Sequence, residues 1–202
     1  KAREHLGSTG ERTMRLFLFL AGLLATLTAT CGPARAAESD VTPELVCAVK
    51  AVVRPSETAW PAAKCARVSA ALNVTRWPRT IAGIGANESD WRDDVVVCHK
   101  PDVCDVGFTQ LRCLLKNGRC TNGVVAGYTV AQLLDVQTNI ALANALLTNL
   151  AGDVQGWNRR SKGYAARIRA LVAALDGRRV EVRSARTAEQ VRRILAVTQP
   201  RT

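Results

Sequence analysis

The chain has 202 residues, 48% hydrophobic, 22% charged and 4% aromatic; this excludes disorder, collagen and coiled coil and leaves enough length for one real core. Lysine and arginine number 28 against 17 acidic residues, a net +11, which predicts attraction to nucleic acid, anionic lipid or a cell-wall polymer without choosing among them. Outside the N-terminus no apolar run approaches the roughly 18 residues of a membrane span, and a polytopic membrane protein is excluded.

The N-terminus predicts export. Met14 and Arg15 precede Leu16 to Thr30, a 15-residue apolar stretch, and Ala34-Arg35-Ala36 follows. A basic start, an apolar middle and an Ala-x-Ala site make a signal peptide over residues 14–36, the alternative being a buried core helix. Lipidation at Cys31 is disfavoured, because Thr28-Ala29-Thr30 lacks a large aliphatic residue three positions before the cysteine. Residues 1–13 are polar and without apolar periodicity, and read as a disordered or non-native leader. Cleavage after Ala36 leaves 166 residues with 23 basic and 15 acidic side chains. This is a single domain at net +8, expected to be monomeric, periplasmic or secreted, with no stable transmembrane anchor.

Thr42 and Pro43 open a first helix carrying Leu45, Val46, Val49, Val52 and Val53 at helical spacing, and Pro55 stops it. A second runs from about Trp60 through Cys65, Val68 and Leu72. Pro78 opens a third, with Ile81, Ile84 and Glu88 on one face. Residues 92–128 hold four cysteines, Pro101 and several glycines, and predict a disulfide-stapled loop or small β-hairpin region between helices. Thr129-x-x-Gln132 is a capping-box signature, and Asn139 to Leu150 is an apolar helix ending near Gly152. Tyr164 to Leu175 is the last core helix, with Ile168, Leu171, Val172 and Leu175 as its stripe, Arg167 and Arg169 facing water, and Gly177 at its cap. Residues 177–202 read as a basic tail outside the domain of residues 37–176. The tail carries Arg178, Arg179, Arg183, Arg186, Arg192 and Arg193 and one weakly amphipathic segment, Ala188 to Val197.

Six of the seven cysteines fall after residue 36, an even count that in an exported protein predicts a disulfide framework. Six cysteines permit 15 pairings; the close couples favour Cys47 with Cys65, Cys98 with Cys104 and Cys113 with Cys120. Zinc is the rival, but there is no C-x-x-C and only His99 follows the leader. No metal or cofactor is expected.

Glu88 is the anomaly. A carboxylate over Ile81 and Ile84 lies on the face that should be buried, where ionisation is disfavoured and the group can serve as a general acid for glycosidic cleavage. The alternative is a solvated carboxylate at a frayed helix end, and spacing leaves both open.

Ordered motifs now carry a resemblance. They are Ala86-Asn87-Glu88-Ser89-Asp90-Trp91, Asp105-Val106-Gly107-Phe108-Thr109-Gln110-Leu111, Asp135-x-x-x-Asn139-Ile140, Gly156-Trp157-Asn158 and Tyr164-Ala165-Ala166-Arg167-Ile168. Together they resemble the soluble lytic transglycosylase family, most closely its specialised members that accompany secretion systems. The resemblance implies an all-α, mainly helical, lysozyme-like domain that cleaves peptidoglycan between N-acetylmuramic acid and N-acetylglucosamine. Its implied partners are glycan strands and a secretion or envelope-spanning machinery.

By that resemblance Glu88 is the catalytic acid and then base, Ser89 orients the carboxyl or an N-acetyl group, Gln110 and Asn139 bind substrate or support the site, and Tyr164 lies near the carboxyl. Ser89 as a helix-end hydroxyl, Asn139 as a helix cap and Tyr164 as a core aromatic are the structural alternatives. Phe108, Trp157, Trp91 and Trp77 are candidate sugar platforms. Asp105 is read as supporting the turn at Gly107. The chain departs from the family's Gly-Leu-Met-Gln and Tyr-Asn-x-Gly at Phe108-Thr109 and Trp157-Asn158-Arg159-Arg160. Alternatives are a glycan binder with a dead site and a lysozyme-type hydrolase. A nucleic-acid binder is disfavoured, because no RNP motif or finger spacing is present.

Overall fold

A computed structural model of the chain describes residue 38 and residues 40–199. The leader expected over residues 1–13 and the signal peptide expected over 14–36 lie outside the described residues.

The chain is mainly helical with one small sheet. Helix α1 (Pro43–Val53) starts where the Thr42 hydroxyl accepts from the Leu45 amide at 3.2 Å, with proline at the first position, where a missing N–H costs nothing. Helix α2 (Ala62–Asn73) begins after Pro61, two residues later than expected. Helix α3 (Pro78–Ser89) has no cap from its own Trp77. Glu38 replaces it, its carboxylate accepting from the Thr80 amide at 2.8 Å and from the Thr80 hydroxyl, at the positive end of the helix.

The stapled region is more regular than its glycines and cysteines suggested. Strands β1 (Val96–Lys100), β2 (Val103–Val106), β3 (Leu111–Lys116) and β4 (Arg119–Cys120) form an antiparallel meander in sequence order. Alternation sorts the faces. Cys104, Val106, Leu111 and Cys113 are buried against Val125, Leu133 and Leu142. Val97, Asp105 and Arg112 stand in register on the opposite, open face.

Helices α4 (Val130–Leu134), α5 (Val136–Asn149), α6 (Val154–Trp157) and α7 (Tyr164–Leu175) follow. The Thr129–Gln132 capping box forms, and Asp135 caps α5 by accepting from the Thr138 amide at 2.9 Å. That moves the start of α5 ahead of Asn139, which sits inside the helix and not at its cap. Helix α3 runs through the centre, with Ile81 and Ile84 fully buried among Ile140, Leu147, Ile168 and Leu171. It packs so tightly on α7 that a Cβ on Gly83 would lie 3.2 Å from Val172.

The disulfides are Cys47–Cys65 between α1 and α2, Cys98–Cys104 between β1 and β2, and Cys113–Cys120 between β3 and β4. All six cysteines among the described residues are in these disulfides.

The expected tail is a packed helix. Helix α8 (Ala185–Thr198) is capped by the Ser184 hydroxyl and buries Thr187, Gln190, Val191 and Ile194 against α7 and α1. Those four recur at i, i+3, i+4 and i+7, but the two polar members and the surrounding arginines hid the stripe. The arginines are largely paired: Arg178 with Asp176, Arg186 with Asp90, and Arg192 and Arg193 with Glu189. Among the described residues no helix is long and apolar enough to cross a membrane.

Candidate functional site

Glu88 occupies the last turn of α3, half-buried, and the backbone after it is unusual. Asp90 (φ 52°) and Trp91 (φ 59°) are consecutive left-handed residues that are not glycine, a conformation costing about 1–2 kcal/mol each. Packing and hydrogen bonds hold them there. The Trp91 amide donates to Gly85 O at 3.2 Å, and its fully buried indole donates to Ala82 O at 2.9 Å. The Trp91 and Phe108 ring centroids lie 5.8 Å apart.

Ser89 joins two motifs distant in sequence. Its buried hydroxyl bonds to Gly85 O and, at 2.7 Å, to Phe108 O, tying the helix end to the loop at 107–110. Phe108 lies over Gly85, where any Cβ would run into the ring. Gly107 has φ +76°, and a Cβ there would sit 2.6 Å from Leu133 O, so this position requires glycine. Gln110 locks the turn, its amide donating to Gly107 O at 2.8 Å and to Val95 O at 3.2 Å. Behind the loop, fully buried Asn139 accepts from the Thr109 amide and hydroxyl at 2.9 and 2.7 Å and donates to Val106 O and Leu133 O at 3.0 and 2.9 Å.

A cleft of about 180 Å³ lies against this scaffold, lined by Glu88, Asp105, Gln110, Leu111, Arg112, Leu146, Trp157 and Asn158. A larger groove of about 530 Å³ runs between residues 179–182 and α8, but its lining carries no acidic side chain, so it cannot supply proton transfer. The small cleft brings two carboxyl groups together in different electrostatic settings. Burial raises the Glu88 carboxyl above its ordinary 4.5, and the negative charge of Asp105 adds to the effect. The Tyr164 phenol, the Asn87 amide, which donates to Glu88 at 3.3 Å, and the Arg186 charge act against it without cancelling it.

For Asp105, burial also raises the carboxyl. The hydrogen bonds from Arg112 and His99, with their charges, outweigh burial and hold it below 3.8. Arg112 grips it with two nitrogens at 2.9 and 3.0 Å, and His99 Nε2 lies 2.7 Å away. The two carboxyls are shifted in opposite directions, Glu88 up and Asp105 down, the kind of separation that acid–base chemistry uses. Tyr164 lies beneath, its phenol buried beside Glu88 and pushed well above the ordinary 10.0 first by burial and then by the neighbouring carboxylate. Among the described residues its oxygen has no partner in good hydrogen-bond geometry, and its O–H dipole beside Glu88 opposes the rise of that carboxyl.

Of the expected site residues, the cleft gathers Glu88, Gln110 and Trp157, with Tyr164 directly behind. Ser89 and Asn139 are buried with their polar atoms engaged by backbone, and hold the site without facing a ligand. Phe108 and Trp91 are fully buried and Trp77 nearly so; of the four aromatic platforms only Trp157 lines the cleft, because the others fill the core under α3. Asp105 does not support the Gly107 turn, which Gln110 and Val95 hold; it stands on the open face of the sheet. Arg112, His99, Leu146 and Asn158 were missed. Asp105 and Arg112 share strand parity across the β2–β3 turn, a signal legible once those strands are drawn. Compared with family models, curated proteins and solved structures, the chain matches none.

Proposed function

We propose that this chain is a peptidoglycan lytic transglycosylase with a lysozyme-like fold, exported to the periplasm or secreted and acting on glycan strands. One observation carries the reading: a carboxyl raised above its ordinary value, Glu88, lines a cleft whose other carboxyl, Asp105, is held ionised. The motif order from Ala86 to Ile168 supports the same reading, as do three disulfides that suit an oxidising compartment.

In the reaction, Glu88 donates its proton to the leaving glycosidic oxygen as the sugar becomes oxocarbenium-like. The resulting carboxylate takes the proton of the muramoyl C6 hydroxyl, whose oxygen closes on C1. Proximity favours that intramolecular closure over attack by water. Asp105 stabilises positive charge developing across the cleft, while its pairing with Arg112 and His99 blunts it as a base. The product is a 1,6-anhydromuramoyl fragment.

Asp105 also favours a second reading, a lysozyme-type hydrolase in which that carboxylate activates water or attacks the sugar. Incubating the protein with isolated peptidoglycan and weighing the soluble fragments separates the two, because an anhydro end is one water lighter than a reducing end. Anhydro product that disappears in a folded Glu88→Gln supports the transglycosylase. Reducing ends abolished by Asp105→Asn support the hydrolase, and undiminished cleavage by Glu88→Gln overturns both.

A further inference from the structure

Helix α8 reaches the end of α3 from the far end of the chain. Gln190 is nearly buried, and its Nε2 donates to Ala86 O at 2.8 Å and to Asp90 Oδ1 at 2.7 Å. Arg186, one turn earlier, places an Nη2 3.4 Å from Asn87 O and 3.3 Å from Asp90 Oδ1. Arg54, just past the end of α1, places its Nε 3.8 Å from the other Asp90 oxygen. Asp90 is thus held from two sides, and the carbonyls of residues 86 and 87, in the turn that carries Glu88, receive donors that no α3 residue supplies.

Gln190 makes these bonds at a cost. It sits in the buried stripe with Val191 and Ile194, and its Oε1 is buried without a partner. Leucine would fill such a core position with no unsatisfied atom. A polar residue that breaks the local rule while its amide nitrogen grips a neighbouring helix end is the pattern expected where geometry is worth more than stability.

We propose that α8 is a positioning element for the Glu88 carboxyl, with Gln190 as the clamp and Arg186 as its support: together they fix the last turn of α3 and the left-handed residues behind it, and so the point at which Glu88 enters the cleft. This rests on Glu88 being the acid proposed above. The charged and titratable groups acting on that carboxyl come from every side: Tyr164 on α7, Asp105 on β2 and Arg186 on α8, with neutral Asn87 beside it. Loosening the clamp lets the helix end fray toward water, whereas removing Arg186 chiefly takes away a positive charge, so the two perturbations move the carboxyl in opposite directions.

The test uses the full chain labelled with carboxyl-13C glutamate, the Glu88 resonance being assigned by its loss in Glu88→Gln. In folded Gln190→Leu the Glu88 titration midpoint moves down toward the ordinary carboxylate range, and turnover on peptidoglycan falls about tenfold or more with KM unchanged. In Arg186→Ala, an exposed substitution, the midpoint moves up. Unchanged titration or unchanged turnover in folded Gln190→Leu overturns the proposal. Should Gln190→Leu fail to fold, Gln190→Met, which removes the amide donor at similar volume, takes its place, and an unchanged Glu88 titration or turnover there overturns the proposal. Absence of cleavage by the wild-type protein refutes the enzymatic reading alone, because the titrations still decide whether α8 governs Glu88.

Discussion

Replacing Asn139 with alanine distinguishes a buried strut from a substrate ligand. The side chain is fully buried and satisfies the Thr109 amide, the Val106 carbonyl and the Leu133 carbonyl, along with the Thr109 hydroxyl. Alanine takes a partner from each of three buried backbone groups, and each such loss costs about 1–3 kcal/mol. Allowing water to enter the space and the Thr109 hydroxyl to turn, a net loss of about 4 kcal/mol is expected, a large part of the roughly 5–15 kcal/mol that stabilises a domain. Urea unfolding followed by circular dichroism should show a lower midpoint at unchanged slope, and the melting temperature should fall by about 10 °C. Asn139→Asp is a sharper comparison. It keeps the acceptor for Thr109 but turns the donor into a second acceptor facing two carbonyls, and should cost at least as much. A loss under about 1 kcal/mol in Asn139→Ala, accompanied by weaker glycan binding, would refute the strut.

Stability should depend on pH with opposite signs at the two carboxyls. Because the folded Glu88 titrates above its ordinary 4.5, its contribution is full below that value and is lost as pH rises through the folded one. Glu88→Gln should therefore be more stable than wild type at pH 7, with the difference closing toward pH 4; thermal melts across pH check this, and a destabilised variant at pH 7 contradicts it. Asp105 titrates below 3.8, so Asp105→Asn should be destabilised at neutral pH, with the gap narrowing only as acid protonates the wild-type carboxylate. The double substitution Cys98→Ser/Cys104→Ser opens a short loop and should cost about 2 kcal/mol in urea unfolding. Mass mapping of non-reduced peptides checks the three pairings, and a peptide joining other cysteines rejects them.

Much of the fold was legible because its signals are local. Proline at the start of α1 and α3, the Thr129–Gln132 box and the apolar stripe of α7 each lie within one or two turns, and the close cysteine couples marked all three disulfides. What escaped depends on long-range pairing. The strands carry few uninterrupted apolar residues, since one face of the sheet packs and the other carries Asp105 and Arg112, so a meander read as a stapled loop. Helix α8 escaped because its stripe is half polar: Thr187 and Gln190 are both buried, and Gln190 is held by partners a hundred residues away, which no window along the chain contains. At the site, spacing placed Glu88 over Ile81 and Ile84 but could not show that Asn139 is buried as a strut. Nor could it show that the Asn139 bonds go to backbone and to the Thr109 hydroxyl, or that three of the four candidate aromatic platforms lie under α3.

Helix α3 is fastened at both ends by residues from opposite ends of the folded domain. Glu38 caps its first turn across 42 positions, and Gln190 holds its last across 104. A chain made or threaded from its N-terminus therefore presents Glu88 long before the residue that secures it exists on the same side. Cap and clamp close loops of very different size, and the larger one carries the greater entropic cost and closes later. A chain stopped short of residue 190 can keep the Glu38 cap yet leave the Glu88 end of α3 unfastened. The order in which contacts form leaves the Glu88 end of α3 unfastened until residue 190 has joined the fold.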